Sequence, residues 1–336
     1  RLFALNHLLG GLLLLGVYLS RDFLAVLLLG LFWMFFIGPC TSLANAVTFH
    51  HLPHKSGQFG IIRVWGTIGW IAVGWLFSFL WLRDGAGLPV PGRLPHALLL
   101  AAAGSLVLSA YVFFFLRGKA GATRRRRRLF PEESLRVIRR PEILFLAFCT
   151  FMISIVDRFY SYGAAPFLRE RGVSEAMLLP VLSIGQLPEL FAMYFMGRVI
   201  GRMGHLRIIA LAVLLELVRF AFFSVHLPPG FVIGGIALHG IIYTFFFVVA
   251  SDYLDRFCAP ESRAGVHQFF SMINAGAGAF LGNALAGFLH DRFRTGKATD
   301  WTLFWLVPLV LAAGILVLFV WKTRLKEGRD ADPVCE

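Results

Sequence analysis

Charge is what this sequence has least of. Only 15% of its 336 residues are Asp, Glu, Lys or Arg, while 58% are apolar. A soluble domain carries roughly a quarter charged residues and under half apolar ones, so a water-soluble globule is excluded. The 35 Phe and 8 Trp equally exclude a disordered chain, because disorder requires too little apolar surface to collapse. Cysteine is scarce as well. Cys40, Cys149, Cys258 and Cys335 stand far apart, so neither a disulfide framework nor a Cys-based metal site is indicated. No G-x-x-x-x-G-K-S/T loop occurs, which removes the usual phosphate cradle of an ATP-driven machine. Arg1 runs straight into an apolar stretch without a signal-peptide cleavage pattern. The chain is therefore expected to be a fragment that has lost its true N-terminus.

What is present is a series of long apolar runs. One helical span needs roughly 20 apolar residues, and ten candidates follow, at about 2–19, 23–48, 57–82, 96–116, 142–162, 176–198, 206–225, 231–253, 264–289 and 302–321. Backbone groups in lipid must be paired within the segment, and the runs do not alternate as barrel strands do. The fold class expected is an all-α polytopic membrane protein with the bilayer as its surroundings. The net charge of +13 then reads as Lys and Arg gathered on one membrane face, not as a nucleic-acid surface. Histidines 50, 51 and 54 lack a nearby Cys or acid, so no metal is expected.

The longest basic connection is 117–141, with the run Arg124–Arg128. Placing it in the cytoplasm puts 21 Lys and Arg on that side against eight on the other, which sets the orientation. The run itself serves as a topology signal or a contact to anionic lipid. It separates four spans from six. Two similar six-span halves are a common transporter plan, so two spans are expected to be missing at the N-terminus. The parts become an N-terminal half (1–116), a cytoplasmic basic linker (117–141), a C-terminal half (142–322) and a cytoplasmic tail (323–336).

Several stretches carry a family resemblance. Gly197-Arg198-Val199-Ile200-Gly201-Arg202-Met203-Gly204-His205-Leu206-Arg207 is similar to the loop signature G-x-x-x-D-R-x-G-x-x-R of the major facilitator superfamily, with Gly201 in the Asp position. Ile62-Arg63-Val64-Trp65-Gly66-Thr67-Ile68-Gly69-Trp70, Gly185-Gln186-Leu187-Pro188-Glu189 and His239-Gly240-Ile241-Ile242-Tyr243-Thr244-Phe245-Phe246-Phe247-Val248 sharpen it. Together they resemble the nucleoside:proton symporter family of that superfamily, from about residue 24 to 290. The chain departs from the family at Thr244, where an Asp is frequent, and in the seventh helix of the family plan. The resemblance implies two six-helix bundles, with helices three to twelve of the plan present here and the first two absent. It further implies an inner-membrane protein with a cytoplasmic C-terminus, working by alternating access as a monomer, with a proton as coupling ion and no cofactor.

Ionisable groups inside a span are costly against lipid and usually face a cavity or a partner. Arg63, Thr67, Trp70 and Gly74 repeat at i, i+4, i+7 and i+11, one stripe of a helix. A cation, a hydroxyl and a flat aromatic suit a polar, ring-containing solute; the alternative is an Arg63 that snorkels to the membrane face. Gln186 and Glu189 stand at i and i+3 around Pro188, and the resemblance makes them a substrate site. Tyr243 and Phe247, one turn apart, join it by the same resemblance, against the alternative of a packed aromatic face. Asp157 and Tyr160 share a face of a helix that lines the cavity in the superfamily. The alternative for Asp157 is an ion pair with a neighbouring helix, with Arg158 pointing another way. Glu189 and Asp157 are the proton-coupling candidates. Glu216 and Arg219, at i and i+3, read as an internal salt bridge outside the site. Asp252 and Asp255 read as gating contacts. Gly276, Gly278 and Gly282 read as a close-packed helix face.

Proton-coupled symport of a nucleoside or similar solute is the activity this reading favours. A sugar or aromatic-acid porter of the same superfamily is the alternative within the class. An integral-membrane enzyme is the alternative outside it, but that chemistry needs acids and histidines gathered at one interface, and Asp157 and Glu189 are mid-span.

Overall fold

The computed structural model describes residues 2–40, 43–44, 56–115, 132–225, 227–296 and 298–330; within these, the side chains of 56–64, 260, 261, 264 and 323–330 are not described. Histidines 50, 51 and 54, the run Arg124–Arg128, the end of the second span and the side chain of Arg63 lie outside the described residues.

Each of the ten apolar runs corresponds to helix. They are α1 (Leu2–Leu19), α2 (Phe23–Ile37), α3 (Ser56–Leu76), α4 (His96–Phe115), α6 (Pro141–Glu170), α7 (Glu175–Ser183) with α8 (Gln186–Met203), α9 (His205–Ser224), α10 (Pro229–Tyr243) with α11 (Val249–Asp255), α12 (Pro260–Ser271) with α13 (Ala279–Arg292), and α14 (Trp301–Asp330). Seven of these spans are long and apolar enough to cross a membrane by length and composition, and Phe23–Ile37 and Trp65–Trp81 are shorter apolar helices. The remaining one, α9, carries Arg207, Glu216 and Arg219. Two of those three charges, Glu216 and Arg219, are fully buried.

The helix starts are written locally. Asp22 caps α2 by accepting from the Ala25 amide at 2.9 Å. Pro141, Pro229 and Pro260 open α6, α10 and α12, positions where a missing N–H costs nothing. Gly204, at φ +77°, joins α8 to α9 and donates its N–H to the Ile200 carbonyl. This is the tight turn that the loop signature anticipates, in a conformation only glycine adopts without strain.

Three short π-helical turns interrupt the spans, at Phe77–Trp81, Thr244–Val248 and Met272–Gly278. A short helix, α5 (Glu132–Ile138), occupies part of the segment expected to be linker. Its Ser134 hydroxyl donates to the Ser262 carbonyl at 3.0 Å, which ties it to α12. A two-stranded antiparallel hairpin, β1 (Arg294–Thr295) and β2 (Ala298–Thr299), links α13 to α14. It departs from an all-α reading only in a loop, and Glu170 accepts from the Thr299 amide and the Trp301 indole to hold it.

The chain forms two compact units, one of residues 1–125 with 175–179, the other of 126–174 with 180–336. In the first, α1 packs against α2 and α4. Gly10 and Gly11 permit this, since a Cβ on them would lie 2.6 Å from Ile37 and 2.9 Å from Leu106. Ser109 donates to the Ala4 carbonyl across the α1–α4 contact at 2.7 Å. Phe77, Leu82 and Ala176 form a small buried core.

In the second unit, α9 packs against α14 and α10, and α6 against α13 and α14. Phe159, Phe220, Phe304 and Trp305 are fully buried between them. Gly278 and Gly282 pack as the sequence suggests. A Cβ on Gly278 would meet Ser154 Cβ at 2.6 Å, and one on Gly282 would meet Arg158 Cβ at 2.7 Å, so the π turn and α13 lie directly against the stretch of α6 around Asp157. Nothing of this kind constrains Gly276, whose Cβ position is open.

Candidate functional site

The sixth run, expected as one helix over 176–198, is broken before Gln186. Pro180 inside α7 and Pro188 in the first turn of α8 both lack an N–H, and the Ser183 hydroxyl turns back onto the Pro180 carbonyl at 2.7 Å. Gly185 then allows a close crossing. A Cβ there would lie 2.8 Å from the Ile236 carbonyl of α10. From the other side, a Cβ on Gly240 would collide with the Gly185 carbonyl and lie 2.6 Å from both Cβ and N of Glu189. The start of α8 and the middle of α10 thus touch almost backbone to backbone. This break places Gln186 and Glu189 in the first turn of a helix, where its exposed N–H groups favour a carboxylate. Glu189 is 9% exposed and Gln186 half-buried.

The crossing yields a stability prediction. Gly240→Ala drives a methyl into backbone atoms that cannot rotate away, and overpacking of this kind costs about 1–3 kcal/mol. The variant is expected to melt well below the wild type in detergent and to lose uptake. Wild-type melting and uptake would show that α8 and α10 are free to separate.

Tyr243 at the end of α10 and Phe247 in the π turn that continues it face each other with ring centroids 5.7 Å apart and planes at 42°. Both are half-buried. The π turn Thr244–Val248 begins directly after Tyr243, and such turns are frequent at functional sites. Thr244, the departure from the family pattern, is fully buried, and its hydroxyl has no hydrogen-bond partner among the described residues.

Asp157 and Tyr160 of α6 are 8% and 6% exposed and belong to a buried ionic cluster. Asp157 Oδ2 accepts from Arg158 Nη2 at 2.9 Å, and Oδ1 lies 3.8 Å from Arg219 Nη2. Arg158 therefore does not point another way. Its side chain folds back onto the neighbouring carboxylate. The Glu216–Arg219 salt bridge forms as expected, at 2.5 Å, but it does not stand apart from the site. Arg219, wholly buried, also donates to His239 Nδ1 at 3.0 Å, and its guanidinium sits 4.3 Å above the Tyr160 ring. Two carboxylates and two guanidiniums balance, so the cluster is neutral when His239 is neutral. A compensated arrangement of this sort is what lets charges persist in a dry interior.

His239, and the contacts of Arg219 beyond Glu216, are the parts of this cluster that the sequence does not single out. Only one ionisable nitrogen occurs in the apolar stretch Pro229–Tyr243, that of His239, and this was the available signal. Arg219 was visible as a charge paired with Glu216 at i, i+3, but its contacts to other helices follow from packing alone.

The Arg63 stripe belongs to the other unit. Thr67 is half-buried and Trp70 is 49% exposed, and a Cβ on Gly74 would lie 3.8 Å from Leu179 Cβ. Asp157, Tyr160, Gln186, Glu189, Tyr243 and Phe247 all fall in the second unit.

At one end of the second unit, the acids expected as gating contacts hold neighbouring helices together. Asp252 of α11 pairs with His205 at the start of α9 at 2.6 Å. Asp255 pairs with Arg263 at 3.2 Å and with His267 at 2.7 Å, both of α12.

Comparison with known proteins supplies the family. The model of the nucleoside H+ symporters matches residues 1–328. The chain is 28% identical over 295 residues to the putative nucleoside transporter YegT of Escherichia coli, covering 84% of this chain and 68% of that protein. It is 24% identical over 313 residues to the xanthosine permease of the same organism, covering 86% and 73%. The crystal structure of the nucleoside transporter NupG superposes with a TM-score of 0.75 at 20% identity, covering 95% of this chain and 81% of that one. A match that spans nearly every helix described above identifies an integral membrane protein that is a transporter and not an enzyme: the chain belongs to the nucleoside H+ symporter family.

Proposed function

We propose that this protein carries a nucleoside together with a proton by alternating access. Its two halves would be the six-helix bundles of the major facilitator fold, with the first two helices of that plan preceding residue 1. The observation that carries the site assignment is the crossing at Gly240, which fastens Glu189 of α8 to the helix bearing Tyr243 and Phe247. One turn of α8 and two turns of α10 then offer a carboxylate, an amide and two aromatic rings to one solute. Rings of this kind stack on a nucleobase, and the amide and carboxylate suit the hydroxyls and ring nitrogens of a nucleoside. Asp157 and Tyr160 belong to the same site, and a separate substrate-binding role is assigned to Arg63, Thr67 and Trp70 of the first unit. Glu189 and Asp157 carry the proton, and no further cofactor is required.

Uptake of labelled uridine into vesicles with an imposed pH gradient tests the activity. Accumulation that collapses with a protonophore and is competed by nucleosides is the expected result. Competition by sugars or aromatic acids, with none by nucleosides, would replace the substrate class.

The charge count supports an orientation with the basic 117–141 segment and the C-terminus in the cytoplasm and the 83–95 loop on the opposite side; the inner membrane and a monomeric working unit complete the proposal. Cysteines introduced as Thr123→Cys and Gly87→Cys are expected to label from opposite faces. Labelling of Thr123→Cys from outside intact cells would invert the topology.

A further inference from the structure

His239 lies where four helices of the second unit meet. Its ring stacks on Tyr160 of α6, with centroids 4.7 Å apart and planes at 28°. Its Nδ1 is 3.0 Å from Arg219 Nη1 of α9 and 3.9 Å from Asp157 Oδ1 of α6. A Cβ on Gly185, just before α8, would lie 3.3 Å from His239 Cβ, and the following residue, Gly240, packs on Glu189. The charged and titratable groups around the ring are therefore Arg219 and Glu216 from α9, Asp157, Arg158 and Tyr160 from α6, and Glu189 from α8. Tyr243 stands one turn along on its own helix.

A guanidinium has five donors and no acceptor. The contact with Arg219 thus defines the state of the histidine. Nδ1 presents its lone pair, the ring is neutral, and its proton is on Nε2. The contact cannot survive a second proton, which would set one N–H against another and one cation against another. Asp157 Oδ1 is the anion already poised near the same nitrogen. The side chain of His239 is 19% exposed, whereas those of Arg219 and Glu216 are 0% and 1% exposed. Within this cluster, His239 is less enclosed than Arg219 or Glu216.

Resting on the reading of the chain as a proton-coupled transporter, we propose that His239 is a further proton-binding residue of the transport cycle, exchanging its contact with Arg219 for one with Asp157. The step balances. The Nδ1 lone pair forms an N–H bond with the incoming proton, the Arg219 N–H···N hydrogen bond breaks, and the cluster gains one positive charge. The new N–H donates to Asp157 Oδ1. Loss of the proton restores the Arg219 contact. Because His239 is one turn from Tyr243 and adjacent to Gly240, the exchange is felt on the same helix that presents the substrate site.

His239→Asn tests this. Its amide oxygen stands near the place of Nδ1 and accepts from Arg219, but it binds no proton. Uridine exchange and uphill uptake are measured in the same proteoliposomes. In the variant, exchange is expected to persist but to lose whatever part of the wild-type pH dependence His239 supplies. Accumulation driven by a pH gradient is expected to fall about fivefold or more, the scale of a typical coupling between two sites. A wild-type pH profile together with wild-type accumulation would overturn the proposal. His239→Gln, whose longer amide also accepts from Arg219, repeats the test if the Asn variant does not fold. Failure of both to fold would assign His239 to packing and overturn the proton role. Absence of uridine exchange in the wild type is a different result. It removes the nucleoside reading itself, and the inference with it.

Discussion

Glu189→Gln is expected to abolish proton-driven accumulation of nucleoside while leaving measurable exchange. The substitution keeps the shape and much of the hydrogen bonding of a side chain that is 9% exposed, and removes its ability to titrate. Glu189 sits in the first turn of α8, against the Gly240 crossing, so its protonation state bears on both helices of the site. Binding of proton and solute at such a place is linked by a coupling free energy that acts reciprocally on both. Without a titrating group the solute can still bind and exchange, but nothing drives it uphill. Concentrative uptake against an imposed pH gradient, with exchange measured in the same vesicles, separates the two. Uphill uptake at the wild-type level would end the proton-carrier role of Glu189 and transfer it to Asp157 and its cluster.

Arg219→Met is expected to be among the most damaging single substitutions in the second unit. It removes the cation between Glu216, Asp157 and His239, and leaves Glu216 fully buried without its counter-ion. Breaking a buried pair in this way costs about 3–5 kcal/mol, mostly through the stranded charge. Glu216 Oε2 and Arg219 Nε already lack hydrogen-bond partners among the described residues, so the cluster holds little in reserve. The single variant should express poorly and melt far below the wild type in detergent. The double variant Glu216→Gln with Arg219→Met removes both charges and is expected to recover much of the melting temperature but not the coupling to protons. Equal melting of the single variant and the wild type would show that Glu216 sheds its charge without cost, and that the pair is no structural element.

The two predictions rest on residues of different legibility. Glu189 was readable because it is a carboxylate in an apolar run, three residues after Gln186 and next to a proline. The membrane cost of a lone acid makes it conspicuous whatever surrounds it. Glu216 and Arg219 were equally conspicuous, and their salt bridge was read correctly from the i, i+3 spacing. What failed was the decision that the pair stood alone. A guanidinium has donors on several sides, and spacing along one helix accounts for only one of them.

The membrane class, the order of the apolar helices, the tight turn at Gly204 and the family motifs were legible from residues alone, because each depends on hydropathy or residue type over a few consecutive positions. Lipid enforces this locality, since every spanning segment must satisfy its own backbone. Packing between helices set the break before Gln186, the seat of Glu189 on Gly240, the turn of Arg158 back onto Asp157, and the contacts of Arg219 and His239 with them. Those outcomes depend on how each helix is rotated about its axis and how closely two backbones approach. Small residues and packing between segments distant in the chain set both, and no single run of residues records them.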